Sequence, residues 1–154
     1  MKILLMLLAL LLVLLVLPAA ADPASTADPA MRIEVFRLAG VAVEGIPTVE
    51  RMGYRVIVHD VDGGRRFEAA LNAGLPRDAQ GLRAALPQRI REWGGDAAVA
   101  ARIAEAWRGL LAAKSYGLDR HPAVVFGGGQ AVVYGTTDVA WALTRYLAWQ
   151  RGQR

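Results

Sequence analysis

The chain has 154 residues, no cysteine, 18 Lys and Arg against 14 Asp and Glu, and 55% apolar residues. The lack of cysteine excludes a disulfide scaffold, a thiol nucleophile, a cysteine-ligated zinc site and a lipoprotein acylation site. A net charge of +4 is too modest to indicate nucleic acid as a partner by itself. The length suits one domain better than two.

The first 21 residues carry most of the hydrophobicity. All of them except Lys2 and Pro18 are apolar, and residues 3–17 form an unbroken apolar run. Lys2, this run and the small residues 19–21 have the three-part layout of a secretory signal peptide. The run would span about 22 Å as a helix, less than the roughly 30 Å core of a bilayer, which favours cleavage over retention as an anchor. We therefore predict a signal peptide over residues 1–21 and a periplasmic location.

Residues 22–30 read DPASTADPA and show no hydrophobic periodicity. A segment rich in Pro, Ala, Ser and Asp has little to bury, so we predict a flexible linker. The remaining residues, 31–150, alternate between strand-like and helical patterns and form the predicted domain.

The residue pattern in the first half of this domain predicts two strands, each followed by a helix. Polar and apolar residues alternate over 32–37, as in a half-buried strand, and residues 47–52 predict a short helix that ends at Gly53. Residues 54–59 are apolar and β-branched enough for a central strand, and residues 65–73 predict the next helix. The crossover between the two strands indicates that they are parallel.

A helical insertion follows. Asp78 is expected to cap a helix that runs to Trp93 and that Pro87 kinks or splits. Asp96 is expected to cap a second helix over residues 97–114. The helical spacing of its apolar residues predicts one buried face, formed by Val99, Ile103, Ala106, Trp107, Leu110 and Leu111.

The last part predicts a hairpin and a helix. Two apolar runs, 123–126 and 131–135, are joined by glycines, which is typical of an antiparallel hairpin. The glycines lack the Lys-Ser/Thr ending of a phosphate-binding loop, so they predict a turn. Thr136 or Thr137 is expected to cap the last helix. Its predicted buried stripe consists of Val139, Leu143, Tyr146 and Leu147.

This order of elements is similar to the α/β thioredoxin-like fold, with a mixed sheet and an enlarged helical insertion. Members of that fold carry a proline, usually cis, directly before the third strand, and His121-Pro122 occupies that place. The chain also resembles the uncharacterised thioredoxin-like proteins encoded in integrating conjugative elements, over residues 31–147. The matching segments are IEVF at 33–36, GLP at 74–76, YGL at 116–118, HPAVVF at 121–126 and VVYGTTDVA at 132–140. A more distant similarity is to the periplasmic pilin-assembly proteins of F-type conjugation systems.

The resemblance implies a role in the envelope apparatus of conjugative DNA transfer, which is type IV secretion-like, with other proteins of that apparatus as partners. Active thioredoxins carry their dithiol just after the first strand, where residues 38–47 of this chain read LAGVAVEGIP. Without a thiolate there is no disulfide exchange. We therefore expect a redox-inactive, non-enzymatic protein-binding scaffold without a cofactor or a metal.

Four residues are candidates for partner binding. His121 and Pro122 would lie where thioredoxin-like domains bind extended peptides, and the alternative function, a periplasmic chaperone or folding factor, rests on this surface. Trp141 and Trp149 fall beside the buried stripe of the last helix, and exposed tryptophans are favoured interface anchors. A loop histidine before a rigid proline and edge-of-core tryptophans are the structural alternatives.

The other chemical candidates have structural explanations. His59, Asp60 and Asp62 offer ligands to a divalent cation, but a strand end followed by an Asp-Gly turn explains them without metal. Ser115 lies outside any serine-hydrolase motif. A third hypothesis, a periplasmic DNA-binding component, rests on five arginines of the insertion, among which acidic residues are interspersed. These arginines are Arg83, Arg89, Arg91, Arg102 and Arg108.

Overall fold

The computed structural model describes residues 31–153, so the predicted signal peptide and linker lie outside the described residues. The described elements, in chain order, are β1 (Arg32–Arg37), α1 (Ile46–Arg51), β2 (Arg55–Asp60), α2 (Gly63–Asn72), α3 (Ala79–Glu92), α4 (Gly95–Ser115), β3 (Ala123–Phe126), β4 (Ala131–Tyr134) and α5 (Val139–Gly152). Within residues 31–153, no helix has both the length and the apolar character needed to cross a bilayer.

The four strands form one mixed sheet in the order β2-β1-β3-β4. β1 and β2 are parallel, whereas β3 is antiparallel to both β1 and β4. These pairings confirm the α/β class, the parallel pair and the hairpin. The central position predicted for residues 54–59 is wrong, because β2 lies at an edge of the sheet. The strand nevertheless packs against α1 and α4. Hydrophobicity reports how well a strand's faces are covered and carries no information about its lateral neighbours.

The sheet separates two hydrophobic clusters. The first joins one face of the sheet to α1 and α5 and consists of Ile33, Val35, Val49, Val124, Phe126, Val139, Ala142, Leu143 and Tyr146. The second joins the opposite face to the end of α4 and consists of Phe36, Ala113, Leu118, Ala123 and Val125. Side chains alternate between the faces of a strand, so neighbouring residues of β1 contribute to different clusters.

The helical insertion differs from the prediction in two ways. Asp78 does cap α3, accepting a hydrogen bond from the Gly81 N–H at 2.7 Å. Of the two effects expected of Pro87, a split is wrong, because Pro87 lies inside one continuous helix, and a kink stays a prediction. Asp96 is not the cap of α4. That helix begins after Gly94, whose φ of 94° lets the backbone turn from one helix into the next, and Asp96 lies in its first turn.

The buried face of α4 is also narrower than predicted. Val99, Gly109 and Ala113 are buried, whereas Ile103 and Leu111 are 41% and 64% exposed. Small residues form this face because α4 lies close to neighbouring backbone: a Cβ atom added to Gly109 would overlap the Asp60 carbonyl. The periodicity argument looks for large apolar residues at helical spacing. It therefore overlooks a buried face made of small residues, which allow the backbones to approach closely.

The last helix confirms the predicted stripe but not the predicted cap. Val139, Leu143 and Tyr146 are buried. Asp138, and neither threonine, caps α5, since its Oδ1 accepts hydrogen bonds from the N–H groups of Ala140 and Trp141, each at 3.0 Å. Asp138 satisfies two N–H groups that would otherwise lack a partner in the first turn.

Candidate functional site

A groove of about 420 Å³ opens at the end of the sheet where β1 and β2 finish and β3 begins. Its walls come from the segment after β1, the first turn of α2, the second half of α4 and the loop that precedes β3. The apolar lining residues are Phe36, Leu38, Val61, Trp107, Leu110, Ala113 and Leu118. The charged and polar lining residues are Asp62, Arg65, Glu68, Lys114, Asp119, Arg120 and His121. We call this cavity the apolar groove.

The apolar groove suits the capture of an apolar side chain. Phe36 is fully buried at the sheet, and Trp107 lies against Gly64, where an added Cβ atom would come within 2.6 Å of the indole. Aromatic and aliphatic walls gain free energy by excluding water from a side chain that enters, and charged residues around them offer hydrogen bonds to the flanking chain. The arrangement therefore favours non-covalent binding.

Asp62 fixes one wall of the groove. Its Oδ1 accepts a hydrogen bond from the Ala39 N–H at 3.0 Å and lies 3.5 Å from the Arg66 Nε. The hydrogen bond from Ala39 is the main reason why the pKa of Asp62 lies below its usual value, and the nearby Arg66 acts in the same direction. Asp62 therefore stays charged and ties the segment after β1 to the start of α2.

The predicted site residues fall on two sides of the sheet. His121 is exposed and lines the apolar groove, and Pro122 follows it in a cis peptide bond, as the resemblance led us to expect. Trp141 and Trp149 are 46% and 47% exposed on α5, which packs on the opposite face. The structure thus places His121 and Pro122 together and separates them from the two tryptophans. Binding by these residues stays a prediction.

The two tryptophans are held by neighbours on their own helix. The Arg145 guanidinium lies over the Trp141 ring, 4.9 Å from its centre. Trp149 stacks on Tyr146 with ring centres 6.0 Å apart. Each indole therefore keeps one face covered and leaves the rest to solvent, which is compatible both with a contact surface and with edge-of-core packing.

The residues of the cation hypothesis point to different partners. His59 Nε2 lies 2.8 Å from Glu34 Oε2, and Asp60 pairs with Arg37 at 3.2 Å. Asp62 accepts from Ala39, as described above. Within residues 31–153, no group of three or more such side chains is placed to hold a metal ion. Each of the three residues therefore has a partner within the domain.

Several arginines of the DNA hypothesis have partners within the domain. Arg89 donates to the carbonyl oxygens of Leu71 and Ala73 at 3.2 and 2.8 Å, so it holds the end of α2 against α3. Arg108 pairs with Glu105 at 2.7 Å, and Arg102 lies over the Trp93 ring. Ion pairing and stacking explain these side chains without a polyanion.

Sequence reasoning missed a buried polar cluster on the α4 side of the sheet. Glu34, on the central strand β1, is 6% exposed. Its carboxylate accepts a hydrogen bond from the Tyr116 hydroxyl at 2.5 Å, contacts His59 and lies 3.0 Å from Arg32 Nε. Alternation along β1 indicated that Glu34 faces solvent, and nothing local signals that Tyr116 and His59 cover it.

The electrostatics of this cluster follow from its contacts. Burial by itself would raise the pKa of Glu34, but the hydrogen bonds from His59 and Tyr116 and the charge of Arg32 hold that pKa below its usual value. Burial and the adjacent Glu34 carboxylate raise the pKa of Tyr116. Both groups therefore keep one protonation state at neutral pH, as suits a structural contact between β1 and the end of α4.

Residues 41–152 match the family described as "Protein of unknown function (DUF1525)", and this match covers nearly three quarters of the chain. The chain belongs to this family. No curated protein and no solved structure matches it. The residues that match the DUF1525 family include all five helices and every residue of the apolar groove except Phe36 and Leu38.

Proposed function

We infer that this DUF1525 protein is a redox-inactive, non-enzymatic scaffold in the periplasm, where it binds other proteins of a conjugative DNA transfer apparatus. The observation that carries the proposal is the apolar groove, which lies beside His121 where β1 ends and β3 begins. The assignment to conjugative transfer rests on the resemblance to proteins of integrating conjugative elements, since a fold alone does not determine function.

We further propose that the domain is thioredoxin-like. Three features support this proposal: the parallel pair β1 and β2 joined through α1, the antiparallel strands β3 and β4, and the closing helix α5. In a thioredoxin-like domain of this order, α3 and the start of α4 would form the enlarged insertion. The segment after β1, where active thioredoxins hold their dithiol, leads from Leu38 to α1 without a cysteine.

The scaffold would work by burying an apolar anchor of its partner. A side chain of the size of leucine or phenylalanine contributes about 1.5–3 kcal/mol when it leaves water completely. Hydrogen bonds from the surrounding polar residues to the partner's main chain would then set its direction along the groove. Binding through one buried side chain and a few hydrogen bonds is reversible, which suits an assembly whose protein components bind and dissociate. Such binding needs no cofactor.

Two neighbouring leucines of α4 provide a matched test. Leu110 lines the apolar groove, whereas Leu111 is 64% exposed and does not line it. The full chain with Leu110→Lys or Leu111→Lys would be expressed in cells that carry the conjugative element, captured from solubilised envelopes, and its companions identified by mass spectrometry. Transfer frequency would be measured in the same strains.

We expect subunits of the transfer apparatus to be captured by the wild type and by Leu111→Lys and to be lost with Leu110→Lys, together with a fall in transfer frequency. Equal recovery by both variants would count against the apolar groove as the contact. Capture of unfolded client proteins alone would favour the chaperone alternative. Circular dichroism of each purified variant separates loss of binding from loss of folding.

A further inference from the structure

A second groove, of about 640 Å³, runs along the outer edge of β2. Four consecutive residues of the strand line it, Ile57 to Asp60, and α2 and α4 form the opposite wall. Side chains of consecutive strand residues point to opposite faces of a sheet. A groove lined by all four residues therefore follows the edge of the strand instead of covering one face. We call it the edge groove.

Backbone groups of β2 face this groove. The Val61 N–H, directly after the strand, donates to the Arg37 carbonyl of β1 at 2.9 Å. Because backbone groups of a parallel strand alternate in direction, His59 also faces β1, whereas Val58 directs its N–H and carbonyl outward. Among residues 31–153, no strand pairs with this side of β2. Val58 is 37% exposed, and backbone groups without a strand partner at a sheet edge are a template for a further strand.

The edge groove carries more positive than negative charge. Its lining includes four arginines, Arg37, Arg66, Arg102 and Arg108, and two acidic residues, Asp60 and Glu105. Arg37 and Arg66 share Asp60, each at 3.2 Å. Arg102 lies 5.2 Å from the centre of the Trp93 ring and has no carboxylate partner in the described part of the chain.

The ion pair between Arg108 and Glu105 is exchangeable. Arg108 lies 2.7 Å from Glu105, but both side chains are about two-thirds exposed, at 67% and 66%. Exposed ion pairs contribute little free energy, so a carboxylate from outside can replace one at small cost. Arg102 and Arg108 are therefore the groups that an acidic ligand would meet first.

We propose that the edge groove binds an extended acidic segment of a partner protein, which joins the sheet as a strand beside β2 and sets its carboxylates against Arg102 and Arg108. Such a segment uses both features of the groove, because its backbone pairs with Val58 while its side chains meet the guanidinium groups. Nucleic acid would satisfy only the arginines. This surface is separate from the apolar groove and goes beyond the function proposed above.

The test uses the purified protein and a fluorescein-labelled heptapeptide in which Glu alternates with Val, read by fluorescence anisotropy. In an extended strand, alternate side chains lie on one face, so all the carboxylates of this peptide can point towards α4. A second peptide of the same sequence has N-methyl groups on alternate amides, which removes strand pairing and keeps the charge. A labelled oligothymidine of similar charge tests for nucleic acid.

The matched variants are the double substitution Arg102→Gln and Arg108→Gln, and the single substitution Arg83→Gln. Arg83 is an exposed arginine of α3 that lies outside the edge groove. We expect the double variant to bind the peptide about tenfold more weakly and the N-methylated peptide to bind about tenfold more weakly to the wild type. Arg83→Gln should bind as the wild type does.

Three results would overturn the proposal. The first is no binding of the Glu-Val peptide at low salt. The second is equal binding of the N-methylated peptide, which would mean attraction of charge without strand addition. The third is tighter binding of oligothymidine that is lost in the double variant, which would identify a nucleic-acid surface. Thermal unfolding of each variant shows whether it is folded. The measurement involves no transfer apparatus, so its failure is distinguishable from failure of the proposed function.

Discussion

Replacement of Gly109 by alanine tests the close approach of α4 to β2. A Cβ atom at this position would lie 2.9 Å from the Asp60 carbonyl carbon and would overlap its oxygen. Comfortable contacts between carbon atoms are about 3.5–4.0 Å. The helix and the end of the strand would therefore have to separate by about half an ångström or more, and backbone lies on both sides of the contact, so no side chain can rotate away.

The expected magnitude is a balance of two effects. Overpacking of a tight contact costs about 1–3 kcal/mol, and contact with backbone belongs in the upper half of that range. Alanine in the middle of a helix recovers about 1 kcal/mol relative to glycine. We therefore expect Gly109→Ala to lower the free energy of unfolding by about 1.5 kcal/mol. For a domain of this size, that loss corresponds to a fall in Tm of about 5 °C.

Urea unfolding followed by circular dichroism measures this change, with Gly152→Ala as the matched control. Gly152 ends α5 and has no atom within 4 Å of an added Cβ. Helix propensity alone acts there, so we expect a gain of up to about 0.5 kcal/mol. Opposite signs for the two substitutions are the prediction. If Gly109→Ala is as stable as the wild type, the close approach of α4 to β2 does not exclude a side chain at position 109.

Two further predictions concern carboxylates. Asp138→Ala should lower the free energy of unfolding by about 1–2 kcal/mol in urea melts, while Asp138→Asn retains most of the cap, and equal stability of both variants would contradict the capping role. Glu34→Gln should destabilise the protein most at neutral pH. Because folding lowers the pKa of Glu34 from 4.5, its stabilising effect is complete above that pH and is lost as the pH falls through the lowered value. A stability difference that does not change between pH 6 and pH 3 would refute this.

Local features of the fold were predictable from neighbouring residues. The alternation in β1 needs only the side-chain period of a strand. The short helix before Gly53 and the hairpin through the glycines after Phe126 depend on backbone geometry within a few residues, and the structure confirms both. Asp78 likewise caps a helix through an N–H group three residues away.

Other features were not predictable, either because they depend on residues far apart in the chain or because several neighbouring residues qualify for one role. Glu34 is buried because Tyr116, 82 residues later, donates to its carboxylate. The cap of α5 was misassigned because three adjacent polar residues, Thr136 to Asp138, all qualify as caps, and the local backbone decides among them. The position of His121 before β3 predicted a binding surface at this end of the sheet. No local pattern indicated that α4 would form a wall of the apolar groove.

The sequence by itself determined the types of the elements, their order and the absence of thiol chemistry, since these depend on composition and on contacts along a short stretch of chain. Only the tertiary structure decided that β2 lies at an edge, that His121 and Trp141 stand on opposite sides of the sheet, and that Gly109 lets α4 approach the end of β2. These features depend on which apolar surfaces pack against each other. Because hydrophobic attraction is not directional, a local sequence pattern shows that a surface is buried but not which surface covers it.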